Sequence, residues 1–207
     1  LLRSRRADLH GRVAELLETR FGEHSGSEPE VIAFHYAQAR RPELAAAAYL
    51  RAGELAKQRT ANVEAIGHLR AALDQLSAAP ESAARNRTEL RVRVALGAPL
   101  IATLGYAHED VRQDFERAVA LSDQVGDASE SFEAIYGHST YCLNRTEMDR
   151  ARQLSERLLE LGRRIHPPSR LPWAHQQMGC VYYFGGQPAP AREQFDCAVA
   201  SFDADPH

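Results

Sequence analysis

His138, Cys142, His175 and Cys180 are the residues whose types and spacing come nearest to a metal site. Zinc takes four nitrogen or sulfur ligands at about 2.0–2.3 Å. His138 and Cys142 are four apart, on one face of a helix, whereas His175 and Cys180 are five apart and less well aligned. The two pairs fall on the first helices of two successive helical repeats, which stack side by side in a solenoid. Cys142 and Cys180 also stand where packing between such helices favours a small apolar residue, so no metal site is expected. Cys197 with His175 offers a nucleophile and a base, yet no orienting third group or oxyanion donor accompanies them, and no catalytic residue is expected. Neither G-x-x-x-x-G-K-[ST] nor G-x-G-x-x-G occurs, and Gly185-Gly186 reads as a turn between helices, so no nucleotide or other cofactor is expected.

The elements that must position these residues follow a repeat. A small residue (Gly53, Gly97, Ser139, Gly179) sits in one helix-like stretch. A second stretch follows, with Ala65/Leu69/Ala72, Val111/Phe115/Ala118, Ala151/Ser155/Leu158 or Ala191/Phe195/Ala198 on its inward face. The small residues recur at intervals of 44, 42 and 40, and the last residues of the second stretches at 46, 40 and 40. A period of that size marks a helical solenoid, in which each helix pair buries its apolar face on its neighbours. The expected fold is all-α: a right-handed α-solenoid of antiparallel helix pairs, about 40–46 residues each, forming one array over 1–207. It divides into N-terminal helices over 1–41 and pairs over 42–79, 82–125, 128–166 and 171–204.

Residues 3–20 read as an amphipathic helix with Leu9, Val13, Leu16 and Leu17 on one face. Gly22 to Pro29 reads as a loop and Glu30 to Ala39 as a short helix. A helix starts at Pro42 and runs to residue 58. Asn62 is the expected N-cap of the next, to about Leu76. The stretch from Ser82 to Gly105 contains Pro99, which removes a hydrogen bond and crowds the Ala95 carbonyl, so a bend is expected near Gly97–Pro99. His108 to Val125 is its partner. Asp127-Ala-Ser-Glu130 looks like a capping box opening a helix to about 143. Thr146 to Ile165, stopped by His166-Pro167-Pro168, precedes the last pair, Leu171 to Phe184 and Ala189 to Phe202. Val181 to Phe184 is the nearest approach to a strand, and it lies inside a helical repeat.

A hydrophobic fraction of 44% with 26% charged residues is that of a soluble globular protein. The net charge of −3, with arginines interleaved among acids, argues against a nucleic-acid partner. Cys142, Cys180 and Cys197 show no CxxC spacing, which suits a reducing, cytoplasmic setting. No apolar run approaches the roughly 20 residues that cross a bilayer, so no membrane association is expected. The chain opens Leu-Leu-Arg and ends without a polar capping helix, which reads as a segment of a longer polypeptide.

The last repeat resembles a tetratricopeptide (TPR) unit: Gly179 at the helix crossing, Tyr182 one turn later, and Ala191, Phe195 and Ala198 in the second helix. Tyr49 to Gly53 through Ala72 follows the same logic, with Ala56 where an aromatic is usual. The repeat of Leu96-Gly97 carries about two extra residues before Phe115 and Ala118, and the 132–165 repeat has Ser139 for glycine and Ser155 for the aromatic. A finer resemblance rests on Leu9-His10-Gly11-Arg12-Val13-Ala14-Glu15-Leu16-Leu17-Glu18, His35-Tyr36, Ala61-Asn62-Val63-Glu64-Ala65, Ala95-Leu96-Gly97, Leu100-Ile101-Ala102-Thr103-Leu104-Gly105-Tyr106 and Phe115-Glu116-Arg117-Ala118. Together they are similar to the region downstream of the ATPase module in large bacterial signalling proteins. Those proteins join an AAA/STAND-type ATPase to a class III adenylate/guanylate cyclase, a kinase or a helix-turn-helix output domain.

The resemblance implies a non-catalytic regulatory region that senses a protein or peptide partner, or a ligand, and controls an attached module. In TPR arrays the first helices line a groove. By this register Glu54, Lys57, Gln58, Tyr136, Thr140, Asn144, Trp173, Gln176 and Tyr183 should face it, side chains that suit a bound helix or extended peptide. The Lys/Asn/Arg pattern of the chaperone-binding carboxylate clamp is absent. For Trp173 and Tyr183 groove contact and packing against a further repeat stand level; for Tyr182 and Phe184 packing is favoured. The alternative function is an oligomerisation spacer or free-standing scaffold with no dissociable small ligand.

Overall fold

The computed structural model describes residues 2–21, 28–165 and 169–203, and among these every regular element is a helix. There are ten: α1 (Leu2–Phe21), α2 (Pro29–Gln38), α3 (Pro42–Gln58), α4 (Asn62–Ser77), α5 (Ala83–Leu104), α6 (Glu109–Val125), α7 (Ala128–Asn144), α8 (Met148–Arg164), α9 (Leu171–Phe184) and α10 (Pro188–Asp203). They fall into two compact units, Leu1–Thr103 and Leu104–His207. That division lies inside the stretch 82–125 expected as one helix pair.

In the N-terminal unit α1 packs on α2, α2 on α3 and α3 on α4. Ala14 of α1, Ile32, Ala33 and Tyr36 of α2, and Ala45 and Ala48 of α3 form a buried core against which Leu17, Ala37 and Tyr49 close. Alanines on α3 let the helices approach closely, and polar clamps fix their register. Glu15 pairs with Arg41, and Glu18 accepts from both Tyr36 and Arg51. In α5 the carboxylate of Glu89, only 3% exposed, is held between Arg85 at 2.7 Å and Arg93 at 2.9 Å. A buried acid is tolerated when it is paired in this way. The α5 helix continues through Pro99 to Leu104, and the Pro99 carbonyl accepts from the Thr103 hydroxyl at 2.8 Å.

In the C-terminal unit α6 packs on α7, α7 on α8, α8 on α9 and α9 on α10, and α7 also touches α9. Residues sixteen apart meet repeatedly in the molecule. A Cβ on Gly53 would stand 2.5 Å from Leu69 Cγ, and one on Gly179 2.5 Å from Phe195 Cε1, so each glycine is the recess that seats a large side chain. Ser139 and Ser155 meet at the same spacing through their hydroxyls, 3.0 Å apart. Gly137, which the repeat pattern passes over, seats Phe115: a Cβ there would lie 2.7 Å from Phe115 Cε1. Gly97, Ala65, Ala72, Ala118, Ala151 and Ala191 are buried, whereas Phe195 and Ala198 are half-buried.

Four of the inter-helix turns share one geometry. Arg40, Thr60, Thr146 and Gly186 have φ of 58°, 59°, 61° and 74°. In each, the next residue's N–H reaches back across the turn, from Arg41 to Tyr36 O, Ala61 to Ala56 O, Glu147 to Cys142 O and Gln187 to Tyr182 O, at 2.9–3.0 Å. This is the Schellman closure, which satisfies the last carbonyls of one helix and aims the chain into the next. It corrects two sequence-based boundaries. Because Thr60 takes the left-handed position, α4 begins at Asn62, Ala61 precedes it, and Asn62 is not the cap. Because Thr146 does the same, α8 begins at Met148 rather than Thr146. Pro29 and Pro188, read as loop residues, are the first residues of α2 and α10, where a missing N–H costs nothing. Asp127 does cap α7, accepting from Glu130 N at 3.0 Å, and His108 caps α6 through Nδ1. The expected loop at 22–27 and the stop at 166–168 lie outside the described residues.

Candidate partner-binding surface

The residues nearest to a zinc set are engaged in packing. His138 is buried, its ring stacked on Phe115 with centroids 6.0 Å apart and planes within 7°. Burial, helped by Arg150, pushes its imidazole down to about 4, and its Nδ1 has no partner among the described residues. Cys142 is fully buried, and burial together with the Glu147 carboxylate pushes its thiol up to about 12. Burial also raises Cys180. Thiolates are the ligands and nucleophiles, and burial disfavours that form in both cysteines. His175 turns to α10 instead, donating from Nδ1 to Gln194 Oε1 at 2.9 Å, and Cys197 is exposed. Among the described residues no three or more His, Cys, Asp or Glu converge as a metal site.

The α7 and α9 helices present a different arrangement. Gln177 of α9 is buried and donates to Ser139 Oγ of α7 at 3.1 Å, and Arg170 at the start of α9 pairs with Glu133 of α7. With Gln177 fixed inward, Trp173, Gln176, Cys180 and Tyr183 share a stripe at helical spacing. Tyr136, Thr140 and Asn144 form a matching stripe on α7. The two stripes adjoin because α9 touches α7 directly, with Gln177 bonded to Ser139; burial raises the Tyr136 hydroxyl, and Cys180 and Glu133 add to the rise. Asn144 Nδ2 donates to Thr140 O at 2.9 Å, orienting its amide along the helix.

Two buried polar atoms on these stripes, Thr140 Oγ1 and Gln176 Oε1, lack partners among the described residues. Such groups cost about 1–3 kcal/mol each when left unsatisfied. At the edge of the surface Trp173 and Tyr183 are 49% and 62% exposed. Glu54, half-buried, and Lys57 and Gln58, exposed, lie on α3 of the N-terminal unit.

A pocket of about 280 Å³ opens between α9 and α10, lined by Pro172, Trp173, Gln176, Ala198, Val199 and Phe202. Trp173 and Gln176 thus serve both the stripe and the pocket. Ala198, expected to close the repeat, lines this open cavity. Tyr182 is held from the other side by Arg152 of α8, whose guanidinium lies 5.0 Å from the ring centroid. Phe184, expected to pack, is exposed and meets Tyr183 edge-on. The signal for the pocket was present in the sequence as Val199 and Phe202, three apart on one face of the last helix.

No family model matches the chain, and no curated protein matches it. The crystal structure of BtubC (BKLC) from P. vanneervenii has a similar fold, with a TM-score of 0.72 over 99% of this chain and 91% of that one, at 15% identity. The likeness concerns the fold. Among the described residues no helix is long and apolar enough to cross a membrane.

Proposed function

We propose that the chain is a non-catalytic, TPR-like array of helix pairs that binds a protein or peptide partner across α7 and α9. Through that event it controls an attached ATPase/cyclase-type signalling module. The observation that carries the reading is the pair of adjoining stripes, Tyr136/Thr140/Asn144 and Trp173/Gln176/Tyr183, in which polar side chains lie beside the exposed Trp173 and Tyr183. Aromatic bodies supply contact area, and amide and hydroxyl side chains beside them suit the backbone groups of a bound peptide. Chain-order packing and the sixteen-residue meeting of small and large side chains support the array. Control of a neighbour needs no chemistry here. A partner that binds one packing of the array on the module better than another shifts the equilibrium by that difference in affinity.

Selection of peptides from a displayed random library, followed by titration of an enriched peptide, tests the binding surface. Tyr136→Ala with Trp173→Ala should weaken the selected peptide at least tenfold while the far-ultraviolet dichroism stays helical. No enrichment, or equal affinity for the double variant, rejects the surface. The exposed Trp173, Val199 and Phe202 favour a second reading, a self-associating spacer, for which sedimentation would show a concentration-dependent dimer.

A further inference from the structure

His10 of α1 and His35 of α2 meet across the helix interface with their Nδ1 atoms 2.9 Å apart, ring centroids 5.0 Å apart and planes at 42°. Both rings are half-buried, and Phe34 closes one side, edge-on to His10 at 6.0 Å and to His35 at 5.6 Å. Two neutral imidazoles in this contact hold one Nδ1–H and one lone pair between them. The two nitrogens therefore face each other across the interface from two separate elements.

We propose that His10 and His35 form a two-imidazole clip for a divalent transition-metal ion that prefers tetragonal coordination, Cu²⁺ or Ni²⁺. Two nitrogens about 2.0–2.1 Å from an ion and at about 90° to one another stand ~2.9 Å apart, so exchanging the Nδ1–H···Nδ1 bond for an ion needs a turn of the two rings and little movement of the helices; a tetrahedral ion asks for ~3.3 Å. Square-planar and tetragonal sites built on nitrogen and oxygen are those of Cu²⁺ and Ni²⁺, and Cu²⁺ heads the affinity order. Loading needs no redox step. The imidazole that donates in the free pair moves its proton from Nδ1 to Nε2, and each Nδ1 then gives a lone pair to the ion. No third His, Cys, Asp or Glu joins the two among the described residues, so water completes the shell. Burial and the neighbouring His10 hold His35 below the ordinary histidine range, which keeps it in the neutral form that ligates. A bound ion would bridge α1 and α2, which the Tyr36 to Glu18 hydrogen bond also ties together.

The test is a Cu²⁺ titration of the whole chain at pH 7.5, followed by calorimetry and electron paramagnetic resonance. The expected result is one tight equivalent with a spectrum showing two imidazole nitrogens. His10→Gln and His35→Gln should each weaken that equivalent at least about tenfold, since even an outer-shell partner is worth that much in metal affinity. The other seven of the nine histidines provide the background, and it should be the same in all three proteins. Equal affinity in both variants, a spectrum with one or no imidazole nitrogen, or a stronger response to Zn²⁺ than to Cu²⁺ overturns the proposal. The spectrum of the unaltered chain decides even if a variant fails to fold.

Discussion

The α7–α8 and α9–α10 pairs answer one packing problem in two ways. In α9–α10 the contact sixteen residues apart is glycine against an aromatic ring: Gly179 receives Phe195. In α7–α8 the same contact is two hydroxyls, Ser139 and Ser155, with the Ala151 carbonyl and the Gln177 amide completing a buried network. Their turns differ in parallel. Gly186 takes the left-handed backbone in one pair and Thr146, a β-branched residue, takes it in the other. What is common is a position where helices approach closely. The residues that fill it can be complementary in volume or in hydrogen bonding, provided no polar atom is stranded. The polar solution also reaches further, since Gln177 ties α9 onto α7 and so sets the orientation of the proposed binding stripe.

Three substitutions test that contrast. Gly179→Leu should be the most damaging, at about 3 kcal/mol, because the recess for Phe195 disappears. In a Phe195→Ala background the same change should cost about 1 kcal/mol, and equal costs in urea titrations of both backgrounds would show that the two residues are not a unit. Ser139→Ala should cost about 2 kcal/mol by leaving the Gln177 amide short of its acceptor. It should also weaken binding of any selected peptide, because Gln177 anchors the helix that carries Trp173 and Gln176; a stability loss with unchanged affinity would separate the network from the surface. Thr146→Gly should do the reverse and stabilise by roughly 0.5–1 kcal/mol, since glycine adopts φ of 61° without Cβ strain, part of the gain being lost to chain entropy. A lower melting temperature for this variant would mean that the Thr146 hydroxyl bond to Arg145 O, 2.6 Å long, outweighs the strain.

Much of the helical layout was legible because apolar residues at a period near 3.6 leave little alternative over stretches of 14 to 22 residues. Pro42 and Leu171 open α3 and α9 where the pattern begins. The misread boundaries, Asn62 and Thr146, share one cause. A left-handed residue usually announces itself as glycine or asparagine, and here Thr60 and Thr146 occupy that position under compulsion from the packing of the helices they join. Gly137 was passed over because it lies outside the repeat register, and its role as the seat of Phe115 follows from how α6 crosses α7.

Composition, periodicity and the recurring small residue were enough to determine an all-helical chain, because those signals are local and each is repeated several times. The tertiary structure alone decided which polar atoms lack partners, which aromatic residues stay uncovered and that His10 meets His35. Those facts depend on the angle and depth at which helices far apart in sequence settle against each other. A displacement of one residue along a helix turns a side chain by about 100°, from core to surface, and only the packed structure specifies that register.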